Sequence, residues 1–413
     1  MRSGMRLFDR VFTRMIRDGD LTVIDCTGAT HRYGTPGSRG APVTIRFTDS
    51  ATPGRIIRHP SLAAGEAYVD GRMVMEQGDV FALLDLVTWN GRFEKRSDHR
   101  NLQRRGRAGN LFGWLRTVNY QRRARRNVAH HYDLSGALYD LFLDADRQYS
   151  CAYFTDPAHE TLEQAQQDKK AHIAAKLFLK PGQRVLDIGC GWGGMALYLH
   201  ARADVDVLGI TLSEEQLAAA RARAAEAGVA DRVRFELIDY RAVEGKFDRI
   251  VSVGMFEHVG PAHFRTYLAK CRSLLADDGV MLLHTIGRMG TRRTTDAWTT
   301  KYIFPGGYIP TLSEIAEAAE SARMICSDVE TLRRHYGYTL EHWLRRAQAH
   351  RAEIESMYDA RFYRMWEFYL AGSATGFHNG QMLNYQVQYV RDRTALPITR
   401  DYMSEAERRL RED

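Results

Sequence analysis

No run of about 18 apolar residues occurs in this chain, so nothing in it reads as a bilayer-spanning helix. The first residues lack the apolar core of a secretory signal, and the expectation is a cytoplasmic chain. Cysteine is sparse. The five, Cys26, Cys151, Cys190, Cys271 and Cys326, are odd in number, scattered and never in a C-x-x-C pair. That usage fits a reducing compartment and offers no framework for a structural zinc. Internal repeats and low-complexity tracts are also missing. What is present is an ordinary globular composition, 413 residues with 44% hydrophobic, long enough for two or three domains.

Charge is placed unevenly, which says more than the total of +7. Between Arg92 and Arg126 stand twelve Lys or Arg and two acids, Glu94 and Asp98, a net +10 that leaves −3 for the remainder. Leu111, Phe112, Trp114, Leu115, Val118 and Tyr120 lie between the basic flanks. Such a segment suits an anionic membrane surface, where each basic residue contributes on the order of 1 kcal/mol. A solvated linker is the plainer alternative, and nucleic acid a weaker one, because no recognisable nucleic-acid module surrounds the segment. The expectation is no nucleic-acid partner. Near the N-terminus, Met5, Phe8, Phe12, Met15 and Ile16 recur at helical spacing, with Arg2, Arg6, Arg10 and Arg14 elsewhere on the same stretch. A stripe of that kind most often packs on its own domain.

Pattern divides the chain in three: a small α+β domain over 1–90, for lipid binding or dimerisation, a basic linker over 91–126, and a catalytic domain over 127–413. After the N-terminal helix, short strands are expected at Leu21 to Cys26, Val43 to Phe47 and Arg55 to Ile57, with Gly65 to Val74 and Val80 to Val87 closing the small domain. Helices are expected at Asn127 to Leu143 and Leu162 to Leu179. Strands at Arg184 to Ile188, Val205 to Thr211, Val233 to Ile238, Phe247 to Val253 and Val280 to Thr285 then alternate with helical segments. Alternation of this kind means a mostly parallel sheet covered on both faces, with ligands outside the carboxyl ends of the strands. The last hundred residues read as helical, with Trp343, Tyr358, Phe362, Trp366, Phe368 and Tyr369 as an aromatic-rich stretch.

The sharpest local signal is Val185 to Gly194, VLDIGCGWGG. Gly189, Gly191, Gly193 and Gly194 turn a buried strand into a helix, and backbone without side chains lets a ligand approach the strand end. The spacing also satisfies G-x-G-x-x-G, the dinucleotide fingerprint. That alternative needs an acid for the ribose at the tip of the next strand, which here ends Gly209-Ile210-Thr211-Leu212-Ser213 without a carboxylate. An acid before the glycines, as Asp187 is, suits a methyltransferase loop that holds the amino-acid end of S-adenosylmethionine.

Further strand-end motifs accompany it: YSCAYF from Tyr149, GITLSEEQ from Gly209, SVGMFEHVG from Ser252, LHTIG from Leu283 and HYGYTLEHW from His335. Six ordered motifs together resemble the cyclopropane-fatty-acyl-phospholipid synthase family, related to the mycolic acid cyclopropane synthases, over roughly Asn127 to Arg391. The resemblance implies an α/β fold, a Rossmann-like S-adenosylmethionine-dependent methyltransferase domain with helical additions, behind a small N-terminal α+β domain. It implies an enzyme that moves a methylene group onto the cis double bond of phospholipid acyl chains, at the inner face of a membrane, with homodimerisation possible. A methyl-branched or methylene product, and a non-catalytic lipid-binding role, are the alternatives.

The same resemblance implies a bound bicarbonate ion held by Cys151, Glu257, His284 and Tyr336 with the backbone of Ile286. Each of these has a plainer reading alone: a buried hydrophobe for Cys151, a helix cap for Glu257 with His258, a core histidine for His284, a packing residue for Tyr336. His258, adjacent to Glu257, is expected to point elsewhere. A zinc on Cys, His and Glu would repel the sulfonium, so no metal is expected. For the cofactor, Asp187, Gly189 and Gly191 are expected at the methionine end, and Thr211, Leu212 and Gln216 near the ribose. Asp239 and Tyr240 are expected at the adenine. Tyr149 and Ser150 resemble family residues that close over it.

Overall fold

The structure is a computed structural model that describes residues 2–94 and 135–412. Most of the basic segment, with Phe112, Trp114 and the arginines at 122, 123, 125 and 126, lies outside the described residues, as does the expected helix start at Asn127. Two compact units emerge, and they cross the linear division of the chain. One gathers residues 2–94 with 295–305 and 337–382; the other gathers 135–294, 306–336 and 383–412. The span 127–413 is therefore not one block, because two of its segments cluster with the N-terminal residues.

In the first unit, α1 (Arg2–Met15) precedes a four-stranded sheet in the order β2-β1-β3-β4. Its strands are β1 (Gly19–Ile24), β2 (Thr30–Thr35), β3 (Val43–Phe47) and β4 (Met73–Gln77). The α1 stripe packs on its own unit: Phe8 and Ile16 are each 1% exposed, and the Phe8 ring stacks on Phe12 and meets Phe47 edge-on. The expected strand at Arg55 to Ile57 is a helix instead, α2 (Thr52–Arg58). Asp49 accepts from the amides of Ala51 and Thr52 at 2.8 Å, and Pro53 stands in the first turn, so helix initiation overrides the β-branched pair. Helices α3 (Pro60–Val69) and α4 (Val80–Asn90) complete the N-terminal part. From the distant segments come α10 (Ala297–Tyr302), most of α12 (His335–Ala349), α13 (Arg351–Met357) and α14 (Ala360–His378). Glu367 on α14 is buried and accepts from Tyr68 of α3 at 2.5 Å and from Gln348 at 3.0 Å, a polar tie between segments about 300 residues apart.

The second unit is built on a seven-stranded sheet ordered β10-β11-β9-β8-β5-β6-β7. Strands β5 (Arg184–Ile188), β6 (Asp206–Thr211), β7 (Val233–Leu237), β8 (Phe247–Val253) and β9 (Leu275–Arg288) pair in parallel in the register Ile188 with Ile210 and with Ser252. Helices α6 (Leu162–Leu177), α7 (Gly194–Ala203), α8 (Glu214–Glu226), α9 (Phe264–Leu274) and α11 (Leu312–Ser321) cover the faces, and α5 (Gly136–Phe142) precedes them. This is the α/β methyltransferase fold. The all-helical expectation for the last hundred residues fails at β10 (Ile325–Leu332) and β11 (Met382–Val390). Strand β11 alternates Asn384, Gln386 and Gln388 with Leu383, Tyr385, Val387 and Tyr389, and all seven are buried. Period two is the strand signal, but a polar row that faces the interior does not look like core. Helix α15 (Asp401–Glu412) ends the unit against α6.

Candidate active site

At the carboxyl ends of β5, β6, β7 and β8 the second unit opens into a cavity. The chain reaches it where each strand stops. After β5, Gly189, Gly191 and Gly193 all take positive φ, +85°, +54° and +86°, which L side chains rarely adopt, so the loop can hug the strand end before α7 starts. After β6, Ser213 caps α8 and Thr211 Oγ1 donates to Gln216 Oε1 at 2.9 Å, which fixes both side chains at the rim. Beyond β7, Asp239 is gripped by Arg241, whose Nε and backbone amide donate to Oδ1 at 2.8 and 3.0 Å. Tyr149 and Ser150 arrive from the loop before α6. Gln166 of that helix donates to the carbonyls of Gln148 at 3.2 Å and Ser150 at 3.0 Å.

All ten residues expected at the cofactor border this cavity: Tyr149, Ser150, Asp187, Gly189, Gly191, Thr211, Leu212, Gln216, Asp239 and Tyr240. Asp187 is buried, and burial pushes its carboxyl up to about 7 against the pull of Lys169. Its Oδ2 has no hydrogen-bond partner among the described residues. Tyr240 is pushed up to about 12 by burial and stays a phenol.

The five residues expected at the bicarbonate do not line that cavity. Two of them are joined: the Ile286 amide donates to Glu257 Oε1 at 2.6 Å. Glu257 is pushed up to about 7 by burial, with backbone hydrogen bonds including that of Ile286 opposing, and its Oε2 has no partner among the described residues. His284 is fully buried and neutral, pushed down to about 3 by burial and by the nearby cations Lys169 and Lys176. Burial raises the Cys151 thiol, so the side chain is neutral, with Sγ 3.3 Å from the Ala152 carbonyl oxygen. Tyr336, at the start of α12, is 7% exposed. One electrostatic neighbour links these groups to the cavity wall: Lys169, whose charge acts on Cys151, Asp187 and His284. Its Nζ donates to Ser150 Oγ at 3.0 Å and to Gln148 Oε1.

Residues 119–387 match the family model described as mycolic acid cyclopropane synthetase. The cyclopropane-fatty-acyl-phospholipid synthase of Escherichia coli K12 is 39% identical over 362 residues, 87% of this chain and 91% of that one. The tuberculostearic acid methyltransferase UfaA1 of Mycobacterium tuberculosis is 39% identical over 375 residues, 85% of this chain and 84% of its own. The crystal structure of mycolic acid cyclopropane synthase CmaA1 complexed with SAH and CTAB superposes with a TM-score of 0.61 at 32% identity, covering 66% of this chain and 99% of that one. The chain belongs to the mycolic acid cyclopropane synthetase family.

Sequence reasoning missed three features of this family member. His258 borders the cavity, contrary to the expectation that it points elsewhere, while its neighbour Glu257 does not. The two sit in a single 3₁₀ turn, Phe256–His258, where successive side chains diverge by about 120°, and Phe256 in the core sets which one faces in. Burial pushes His258 down to about 4, so it meets the cavity as a neutral ring. Trp192 and Met255 also line the cavity, and no spacing rule marks them. Lys169 gives no signal in a helix whose sequence reads as solvated.

The two glycines of the loop should separate binding from folding. A Cβ on Gly191 would meet no protein atom within 4 Å, whereas one on Gly193 would stand 2.8 Å from Phe235 Cζ and 3.0 Å from Ala220 Cβ. Gly191→Ala should lose only about 1–2 kcal/mol of stability, through its left-handed φ, yet bind S-adenosylmethionine at least about tenfold more weakly by calorimetry. Gly193→Ala should lose markedly more stability. Native affinity in a folded Gly191→Ala protein contradicts the cofactor assignment.

Glu257 gives a pH-dependent stability prediction. Its folded pKa lies above its ordinary value, so the carboxylate costs the fold nothing below about pH 4.5, where both states are protonated. The cost grows as pH rises and is complete above about 7. Glu257→Gln should therefore raise Tm by a few degrees at pH 8 and by little at pH 5, while lowering turnover. An equal shift at both pH values overturns the assignment of a raised pKa.

Proposed function

We infer that this protein transfers a methylene group from S-adenosylmethionine to the cis double bond of unsaturated phospholipid acyl chains and closes a cyclopropane ring. The observation that carries the reading is a strand-end cavity walled by all ten cofactor residues, in a chain 39% identical over most of its length to a cyclopropane-fatty-acyl-phospholipid synthase. An isolated alkene is a poor nucleophile and must be held against the sulfonium methyl in the absence of water. As it attacks, the carbon–sulfur bond breaks with its electrons going to sulfur, and a carbocation forms. A proton then leaves the transferred methyl, and the C–H electrons close the second ring bond. In this reading Asp187 takes the ammonium of the cofactor, the glycine loop its carboxyl end, Thr211 with Leu212 and Gln216 the ribose, and Asp239 with Tyr240 the adenine. Tyr149 and Ser150 cover it.

The buried pair Glu257 and Ile286 supports a site for a small protic anion. Oε2 of Glu257 lacks a partner, and a group near its pKa shares a proton with a bicarbonate hydroxyl without repulsion. Cys151, Glu257, His284 and Tyr336 with the backbone of Ile286 would hold it, and bicarbonate when bound would supply the base for the departing proton. The test is the product. Cells expressing the chain should yield fatty-acid methyl esters that gain one CH2 with loss of the double bond, resolved as cyclopropane by gas chromatography and mass spectrometry. A methyl-branched ester in its place supports the reading suggested by the equally similar tuberculostearic acid methyltransferase and overturns ring closure.

The proposal extends to where the enzyme works. No helix among the described residues is long and apolar enough to cross a membrane. The acyl chains must then be taken up from an interface, and we place the protein peripherally on the cytoplasmic face, without a nucleic-acid partner. Arg6, Arg10 and Arg14 support this: they recur every fourth residue on α1 and are exposed. A homodimer would double the basic contact and strengthen it through avidity. Binding to vesicles rich in anionic lipid should weaken as salt rises from about 0.05 to about 0.5 M, where screening shortens to roughly 4 Å. Changing all three arginines to Gln should weaken it further while S-adenosylmethionine affinity holds. Unchanged vesicle binding in the triple variant moves the contact away from α1.

A further inference from the structure

His284 is engaged from both sides by strand β11. Its Nε2 lies 3.1 Å from Asn384 Nδ2, and its Nδ1 lies 3.1 Å from Gln386 Nε2. A neutral imidazole has one donor and one acceptor nitrogen, so it cannot accept from two amide NH2 groups. One amide must therefore present its oxygen, since oxygen and nitrogen in an amide are told apart only by the hydrogen-bond network. Gln386 is not the one. Its Oε1 accepts from Lys176 Nζ at 2.7 Å, and turning it would set an NH2 against an ammonium that has no lone pair to offer. Lys176 is itself held by an ion pair with Glu330. Asn384 carries no such tie, and its Oδ1 is buried without a partner among the described residues. Turning the Asn384 amide replaces a clash of two donors with an Nε2–H to Oδ1 hydrogen bond.

We infer that Gln386 and Asn384 are positioning residues that hold His284 as the Nε2–H tautomer, with Lys176 setting the direction of the Gln386 amide. The order runs from Glu330 to Lys176, from Lys176 to Gln386 Oε1, from Gln386 Nε2 to His284 Nδ1, and from His284 Nε2 to Asn384 Oδ1. Its consequence for the reaction rests on the reading of His284 as part of the anion site: with both nitrogens bonded to β11, the ring stands beside that site neutral and in one fixed orientation.

The tautomer can be read without substrate. In full-length protein labelled with 15N-histidine, long-range proton–nitrogen correlation spectra should show a protonated Nε2 and a pyridine-type Nδ1 for His284, assigned by its loss in His284→Gln. Gln386→Glu puts an acceptor at Nδ1 and should move the proton there, lowering kcat at least about tenfold with S-adenosylmethionine affinity within about twofold. Asn384→Asp keeps an acceptor at Nε2 and should retain the native tautomer. Lys176→Met should give a mixture of both forms, and it serves where Gln386→Glu fails to fold. A native Nδ1–H tautomer, or a native spectrum in either Gln386→Glu or Lys176→Met, overturns the inference. Tautomers that move as expected while turnover stays native uphold it and remove His284 from the reaction.

Discussion

Helix α6 is buried along almost its whole length, and it carries charge on every face. Lys169, Lys170, His172 and Lys176 are each buried. An unpaired ion in such surroundings costs several kcal/mol, so a sequence that buries these groups must also place their partners. Two of the partners, Gln148 and Ser150, belong to the cavity wall. Lys169 reaches Gln148 and Ser150, and Lys170 pairs with Asp146 at 2.6 Å, which pins the loop that ends in Tyr149 and Ser150. Lys176 reaches Glu330 and Gln386, and His172 lies between Glu330 at 2.7 Å and Glu407 at 2.9 Å. Through these bonds one helix fixes the cofactor loop, the polar strand β11 and the C-terminal helix α15.

That constraint shapes the chemistry next to it. The reaction passes through a carbocation, so it needs a dry site with little fixed positive charge close by. Burial supplies dryness and keeps His258 and His284 neutral at physiological pH, while Asp187 and Glu257 sit near their ionisation midpoints. Lys169 acts on Asp187 and His284, and burial has lowered it to about 8, so part of its population is uncharged near neutrality. Tyr149, packed edge-on to Tyr139 at 5.4 Å, and Trp192, 5.1 Å from the same ring, add aromatic faces to the cavity wall. Such faces attract a developing cation without bringing an anion that would trap it.

The parallel half of the sheet was legible because its signals are local. Each of β5 to β8 is a short strand with β-branched or aromatic residues that stops at a glycine, a capped helix or an acid, and those stops are the positions of Gly189, Thr211, Asp239 and Gly254. Fold and cofactor wall follow from reading strand ends one at a time. What stayed hidden depends on tertiary context. Gln386 and Lys169 have solvent-like side chains, and only their partners, distant in sequence, explain their burial. The crossing of the compact units is hidden for the same reason, since Glu367 gives no sign that its partner is Tyr68. Arg55 to Ile57 failed differently: the local β propensity was real, and an acid six residues earlier outweighed it by accepting from the amides of Ala51 and Thr52 where the helix starts.

Buried polar atoms without partners are the remaining trace of function in the fold. Asp187 Oδ2, Trp192 Nε1 and Glu257 Oε2 all belong to the strand-end region, on β5, in the loop after it, and after β8. Each such atom costs about 1–3 kcal/mol while it lacks a hydrogen bond. A sequence selected for stability alone would bond them or replace them with apolar groups. Their retention at one end of the sheet means that the fold holds donors and acceptors already oriented for what binds there, so the reorganisation is done before substrate arrives. The stability forgone at these atoms stands beside the scaffold of α6, which holds Ser150 at the cavity wall through Lys169.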